Sequence, residues 1–265
     1  MTRILALLGK ELADLRRNPG VFVPAVLTGT ITLVLPFLVA VVIPLMTGER
    51  LADSSDFQIA LRAYQPGAPA LDAEGLIQAW IFQQFLIMLV IAPVAASMSV
   101  AAYSVVGEKQ ARTLEPLLAT PISTFELLAA KVLGALIPSF GLTLALFALY
   151  VGGIAAVARP GVAWALLTAR PLATVLLFAP MAALAALQLA VCVSSRVNDS
   201  RSAQQIGALI ILPIAGLLVA QLTGNLTLTG RVIVALSALL AVANVGLMRL
   251  GVALFDRESI LTRWT

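Results

Sequence analysis

Apolar residues run along this chain in six stretches broken by short polar ones: roughly 21–46, 78–106, 127–158, 172–194, 206–222 and 232–255. A helix needs about 20 apolar residues to cross ~30 Å of hydrocarbon. Most of the stretches exceed that length, which predicts an all-α integral membrane fold with six transmembrane helices. The fifth stretch is the shortest and runs into Leu222-Thr223-Gly224-Asn225, where a short re-entrant piece could follow the span. Pro36, Pro93, Pro138, Pro180 and Pro213 fall inside the spans and predict kinks or local unwinding. Before the first span the pattern changes to a helical period. Ile4, Leu8, Leu12 and Leu15 share one face of a helix over 3–17, with Leu5 at its edge, and Arg3, Lys10, Asp14 and Arg17 lie opposite. That segment is too charged to span and suits the membrane surface. Asn18-Pro19-Gly20 ends it. The whole chain, 1–265, reads as one transmembrane domain.

Composition supports lipid as the solvent. The chain is 60% hydrophobic and 11% charged, with a mean hydropathy of +1.01; a soluble domain has about 25% charged residues. The pI near 9.7 reflects only 17 Lys+Arg over 13 Asp+Glu, an excess that basic cytoplasmic loops account for without nucleic acid. The charges among residues 10–17 argue against a signal peptide. Basic residues also set the orientation. The N-terminus, the loops after spans two and four, and the C-terminus hold 12 Lys and Arg; the other connections hold five. Both termini are therefore expected in the cytoplasm, with 47–77 outside.

Candidate chemistry is sparse. Histidine is absent and Cys192 is the single cysteine, so Ser-His pairs, His-based metal sites and disulfides are excluded. Gly107-Glu108-Lys109 lacks the rest of a phosphate loop. No paired carboxylates sit inside a span, which leaves no ion-driven relay to power transport. Gln83, Gln84, Gln188 and Asn244 lie in or near spans; they could line a translocation path or bond one helix to another.

The informative segment joins spans two and three. Glu108 and Arg112 stand at i,i+4 in the favourable order. Thr120-Pro121 makes a corner, and Ser123 with Glu126 forms a capping box that starts helix three. Leu114, Leu117 and Leu118 are apolar residues on a loop and need a membrane surface or a protein groove to cover them.

Glu108-Lys109, then Arg112-Thr113-Leu114-Glu115-Pro116-Leu117-Leu118-Ala119-Thr120-Pro121-Ile122-Ser123, continuing to Glu126-Leu127-Leu128 and Lys131, resembles the permease subunits of type-2 (type V fold) ABC exporters. Lys10-Glu11-Leu12 and the ending Leu254-Phe255-Asp256-Arg257-Glu258-Ser259-Ile260-Leu261 are similar to that family's ends. The likeness is strongest to its sodium-efflux-like branch, with Ala130 where many relatives carry glycine. The resemblance implies an ATP-driven exporter subunit that is not itself an enzyme. Residues 108–120 would be a coupling helix docked on a separate ABC ATP-binding subunit. Glu108, Arg112 and Glu115 would supply polar contacts there; Leu114, Leu117 and Leu118 would supply burial; Thr113, Pro116, Thr120 and Pro121 would complete the segment. Helix 3–17, with Lys10, Glu11 and Arg17, would be the connecting helix at the lipid surface. ATP and Mg would sit on the partner subunit, with no cofactor on this chain. The translocation path would form with a second permease copy or a homologous permease, in the bacterial inner (plasma) membrane. A channel, a secondary transporter or a membrane-embedded enzyme is the alternative reading, and none of their motifs is evident.

Overall fold

The computed structural model describes residues 2–53, 57, 71–110, 123–194, 205, 209, 211–223 and 226–254; at 2, 3, 102, 105–110 and 194 it describes the backbone alone. Five helices are long and apolar enough to cross a membrane: Pro19–Thr47, the second helix from Ala73, Thr124–Val157, the fourth from Ala169, and Gly230–Leu254. Between the fourth and the last lies a shorter apolar helix, Ile211–Leu222. It accounts for the fifth apolar stretch, whose residues 206–208 and 210 lie outside the described residues. Gly224 and Asn225, where the re-entrant piece would follow the span, also lie outside them.

The second and fourth helices form the buried centre, and the first, third and last wrap around them. The outer helices leave large apolar side chains uncovered, among them Ile31, Leu45, Leu149, Leu239 and Val242. Water would penalise such a surface and lipid does not, so burial within the chain and the hydropathy of the helices agree.

The second and fourth helices run side by side in register. Arg170 bonds Gln84, and thirteen residues further along both helices the Ser97 hydroxyl donates to the Ala183 carbonyl at 3.0 Å. Close approach is possible because the contact is made of small residues: Ala182, Ala183, Ala185 and Ala186 are all buried.

Prolines act where the sequence predicts, though not uniformly. The first helix turns π-helical over Leu38–Val42, just past Pro36. The second tightens to a 3-10 turn over Leu86–Val90 ahead of Pro93, and the fourth widens to a π turn over Thr174–Phe178 ahead of Pro180. In the last two cases the ring faces a carbonyl inside the irregular turn, which the altered pitch relieves. Pro138 lies within an α-helix continuous from Thr124 to Val157, and Pro213 falls in the first turn of its short helix, where proline is tolerated.

A second apolar cluster gathers Leu51, Ile77, Phe82, Tyr150, Val162 and Leu166 at the end away from the N-terminal helix. Tyr150 meets Phe37 and Phe82 there edge to face, those two rings are tilted against each other, and the Tyr150 hydroxyl donates to the Phe82 carbonyl at 2.9 Å. Gly161 turns the chain beside this cluster with φ +91, a conformation that favours glycine.

Candidate functional site

The connection 111–122 between the second and third helices lies outside the described residues, and with it Arg112, Thr113, Leu114, Glu115, Pro116, Leu117, Leu118, Thr120 and Pro121. Its two supports are described. The second helix runs to Gln110, so Glu108 and Lys109 are helical in backbone. The third begins with the capping box: the Glu126 amide donates to Ser123 Oγ at 3.2 Å, and the Ser123 amide donates to Glu126 Oε2 at 2.9 Å.

Behind those supports the N-terminal helix, Thr2–Arg17, lies against the third helix. Its buried face is centred differently from the sequence expectation. Leu7, Glu11 and Leu15 are buried while Leu12 is only half-buried, so Glu11 lies on the inward face. The reason is a partner on another helix. Lys131 Nζ donates to Glu11 Oε1 at 2.9 Å and to Ser104 Oγ at 2.7 Å, and the Ser104 hydroxyl lies 2.7 Å from Glu11 Oε2. Each of three elements contributes one member of this triad. Both charges are almost wholly shielded, with the Lys131 side chain 3% and the Glu11 side chain 9% exposed. One turn along from Lys131, Gly134 makes room: a Cβ there would stand 2.8 Å from Glu11 Cβ. Lys10, by contrast, is half-exposed and lies 3.9 Å from Asp14, and Arg17 is exposed.

A second polar layer lies toward the other end. Arg170 Nη1 and Nη2 reach Gln83 Oε1 and Gln84 Oε1, each at 3.4 Å. Gln221 Nε2 donates to Gln84 Oε1 at 2.7 Å, and Gln83 Nε2 donates to the Ala165 carbonyl at 2.7 Å. Both glutamines thus bond one element to another. The cavity beside them, lined by Gln83, Arg170, Thr174 and Gln221, holds only about 10 Å³, far below the ~300 Å³ at which ligand sites begin.

Helical rise relates the two layers. Gln84 and Ser104 are twenty residues apart on one helix, about 30 Å at ~1.5 Å per residue. Lys131 and Tyr150 give nearly the same spacing on the third helix. That distance is the thickness of a hydrocarbon core. The two polar layers are therefore spaced as the two faces of such a core are, and the Leu51–Leu166 cluster lies at the end away from the N-terminal helix.

Gln188 and Asn244 lie between these limits and apart from each other. Asn244 Nδ2 donates to the Met181 carbonyl at 3.1 Å, near mid-depth. Gln188 sits eighteen residues past Arg170 on the fourth helix, close to the level of Ser104. Both are buried, and Gln188 Oε1 and Asn244 Oδ1 have no hydrogen-bond partner among the described residues. The four in-span polar candidates thus occupy three depths rather than one site.

A family model described as ABC-2 family transporter protein matches residues 71–250. The chain belongs to that family. No curated protein matches it. The chain is accordingly a multi-pass membrane protein and the permease component of an ABC transporter, a transporter subunit rather than an enzyme. The match to the ABC-2 family takes in Ser104, the 111–122 connection, Lys131 and the polar layer at Gln83 and Gln84. Glu11 and the first helix stand outside it, so the triad joins the matched core to a helix that precedes it.

Sequence reading singled out Glu11 and Lys131 but not their contact, and it missed Ser104, Arg170 and Gln221. A signal for Glu11 existed: Leu7, Glu11 and Leu15 recur every four residues, placing an acid in the middle of an apolar face. Ser104 and Gln221 carried none, because a serine or glutamine in an apolar helix looks the same whether or not a charge lies opposite.

Proposed function

We propose that this ABC-2 permease works in an ATP-driven exporter as one of a pair, coupled through residues 108–120 to separate ATP-binding subunits. The observation that carries the reading is the Glu11–Ser104–Lys131 triad. It clamps the N-terminal helix to the helices on either side of the 111–122 connection. Force applied to that connection would reach the second and third helices and the N-terminal helix together, since none can move at this level without breaking a buried charged contact. ATP and Mg act on the partner subunit in this reading, and the triad's face is cytoplasmic, with both termini on the cytoplasmic side of the bacterial inner membrane. The tight far layer favours a path between two permeases over one within a single chain. Kinship to the sodium-efflux-like branch rests on the 108–131 pattern.

Co-purification tests the docking. A tagged wild-type permease expressed with its candidate ATP-binding subunit should retain it, and Leu114→Asp with Leu117→Asp should release it while leaving the permease in the membrane. Equal retention by both would refute docking through this segment.

A further inference from the structure

An open groove of about 570 Å³ runs between the N-terminal helix and the first and third helices, lined by Gly9, Leu12, Arg16, Pro19, Phe22 and Pro138 among others. Its volume lies in the ~300–1,000 Å³ range of ligand sites. Its depth follows from the triad. Lys131 marks one face of the hydrocarbon, and Pro138 lies seven residues further along the same helix, about 10 Å deeper. The groove therefore starts at headgroup level, beside the N-terminal helix, and descends into acyl-chain level. Its lining is apolar except for one charge, the exposed guanidinium of Arg16, which makes no ion pair among the described residues. A Cβ on Gly9 would meet nothing within 4 Å, so the space beside that residue is open.

We infer that this groove binds one anionic phospholipid, its phosphate at Arg16 and an acyl chain along Leu12, Phe22 and Pro138. Charge and depth together select that occupant. A polypeptide lying in the groove would bring backbone amides and carbonyls to walls that offer them no partners at membrane depth. A zwitterionic lipid would fill the apolar part but leave the guanidinium without a net opposite charge. A lipid held here also bridges the N-terminal helix to the third helix on the side away from Glu11, so its occupancy would bear on how firmly the N-terminal helix is seated.

Native mass spectrometry of the detergent-purified full chain tests this, with dioleoylphosphatidylglycerol and dioleoylphosphatidylcholine as probes. The wild type should retain one phosphatidylglycerol about fivefold over phosphatidylcholine, the worth of one cation near an anionic headgroup. Arg16→Gln should abolish the preference. Gly9→Phe fills the groove and should lower retention of both lipids; Ala13→Leu, on the same wall, serves if the first variant does not fold. Equal retention of the two lipids by the wild type, an undiminished preference in Arg16→Gln, or unchanged retention when the groove is filled would overturn the inference. So would a polypeptide adduct that disappears when Gly9 is replaced.

Discussion

At the scale of the residue, the triad is where energy is concentrated. A charge taken out of water is costly, and its partner recovers that cost only if geometry is good and the remaining polar atoms are satisfied. Lys131 meets both conditions through Glu11 and Ser104. Lys131→Met should therefore lower thermal stability sharply, by about 3–5 kcal/mol, because Glu11 is left buried and unpaired. The double variant Glu11→Leu with Lys131→Met should recover most of that loss, since two apolar residues need no partner. Melting curves of the detergent-purified proteins decide it: a double variant as unstable as the single would mean that the charge pair is not the source of the loss. Gly134 tests the same contact by shape. Gly134→Val places methyl groups where Glu11 Cβ stands and should lift the N-terminal helix, exposing residues 4–15 to proteolysis in the intact membrane. Digestion at the wild-type rate would contradict the close approach.

At the scale of the element, capping and proline placement were legible in the sequence because both are local. Ser123 and Glu126 bond each other's backbone as their spacing requires. Ser123→Ala should cost about 1 kcal/mol and fray the start of the third helix, measurable as faster amide exchange at 124–127; unchanged exchange would mean the cap contributes nothing. What the sequence left open was which face of the N-terminal helix is buried. Periodicity centres the apolar face on Ile4, Leu8, Leu12 and Leu15, whereas the buried residues are Leu7, Glu11 and Leu15. The recurrence of Leu7, Glu11 and Leu15 marks that face, but the partner that lets the acid be buried is a lysine 120 positions along the chain, which no local pattern carries. The glutamines were similarly ambiguous: Gln83 and Gln84 hold Arg170 and Gln221, residues that the sequence marks only as one loop charge and one end-of-helix amide. The short Ile211–Leu222 helix was legible as the weak place in the count, for the same reason that it is short.

At the scale of the whole molecule, two polar layers about 30 Å apart define a slab. Helices with uncovered apolar sides surround a small-residue centre within it. The ABC-2 family assignment and the fold agree on a multi-pass membrane subunit. In the proposed function, work from an ATP-binding partner arrives at the 111–122 connection, between the two helices that the triad joins. The most direct measurement is ATP hydrolysis and export together, in a permease–ATPase complex reconstituted in vesicles, with Glu108→Lys and Glu115→Lys combined. The account predicts that the permease still folds and inserts, while its stimulation of ATP hydrolysis and the export that depends on it are both lost. Wild-type stimulation and wild-type export in that variant would contradict it.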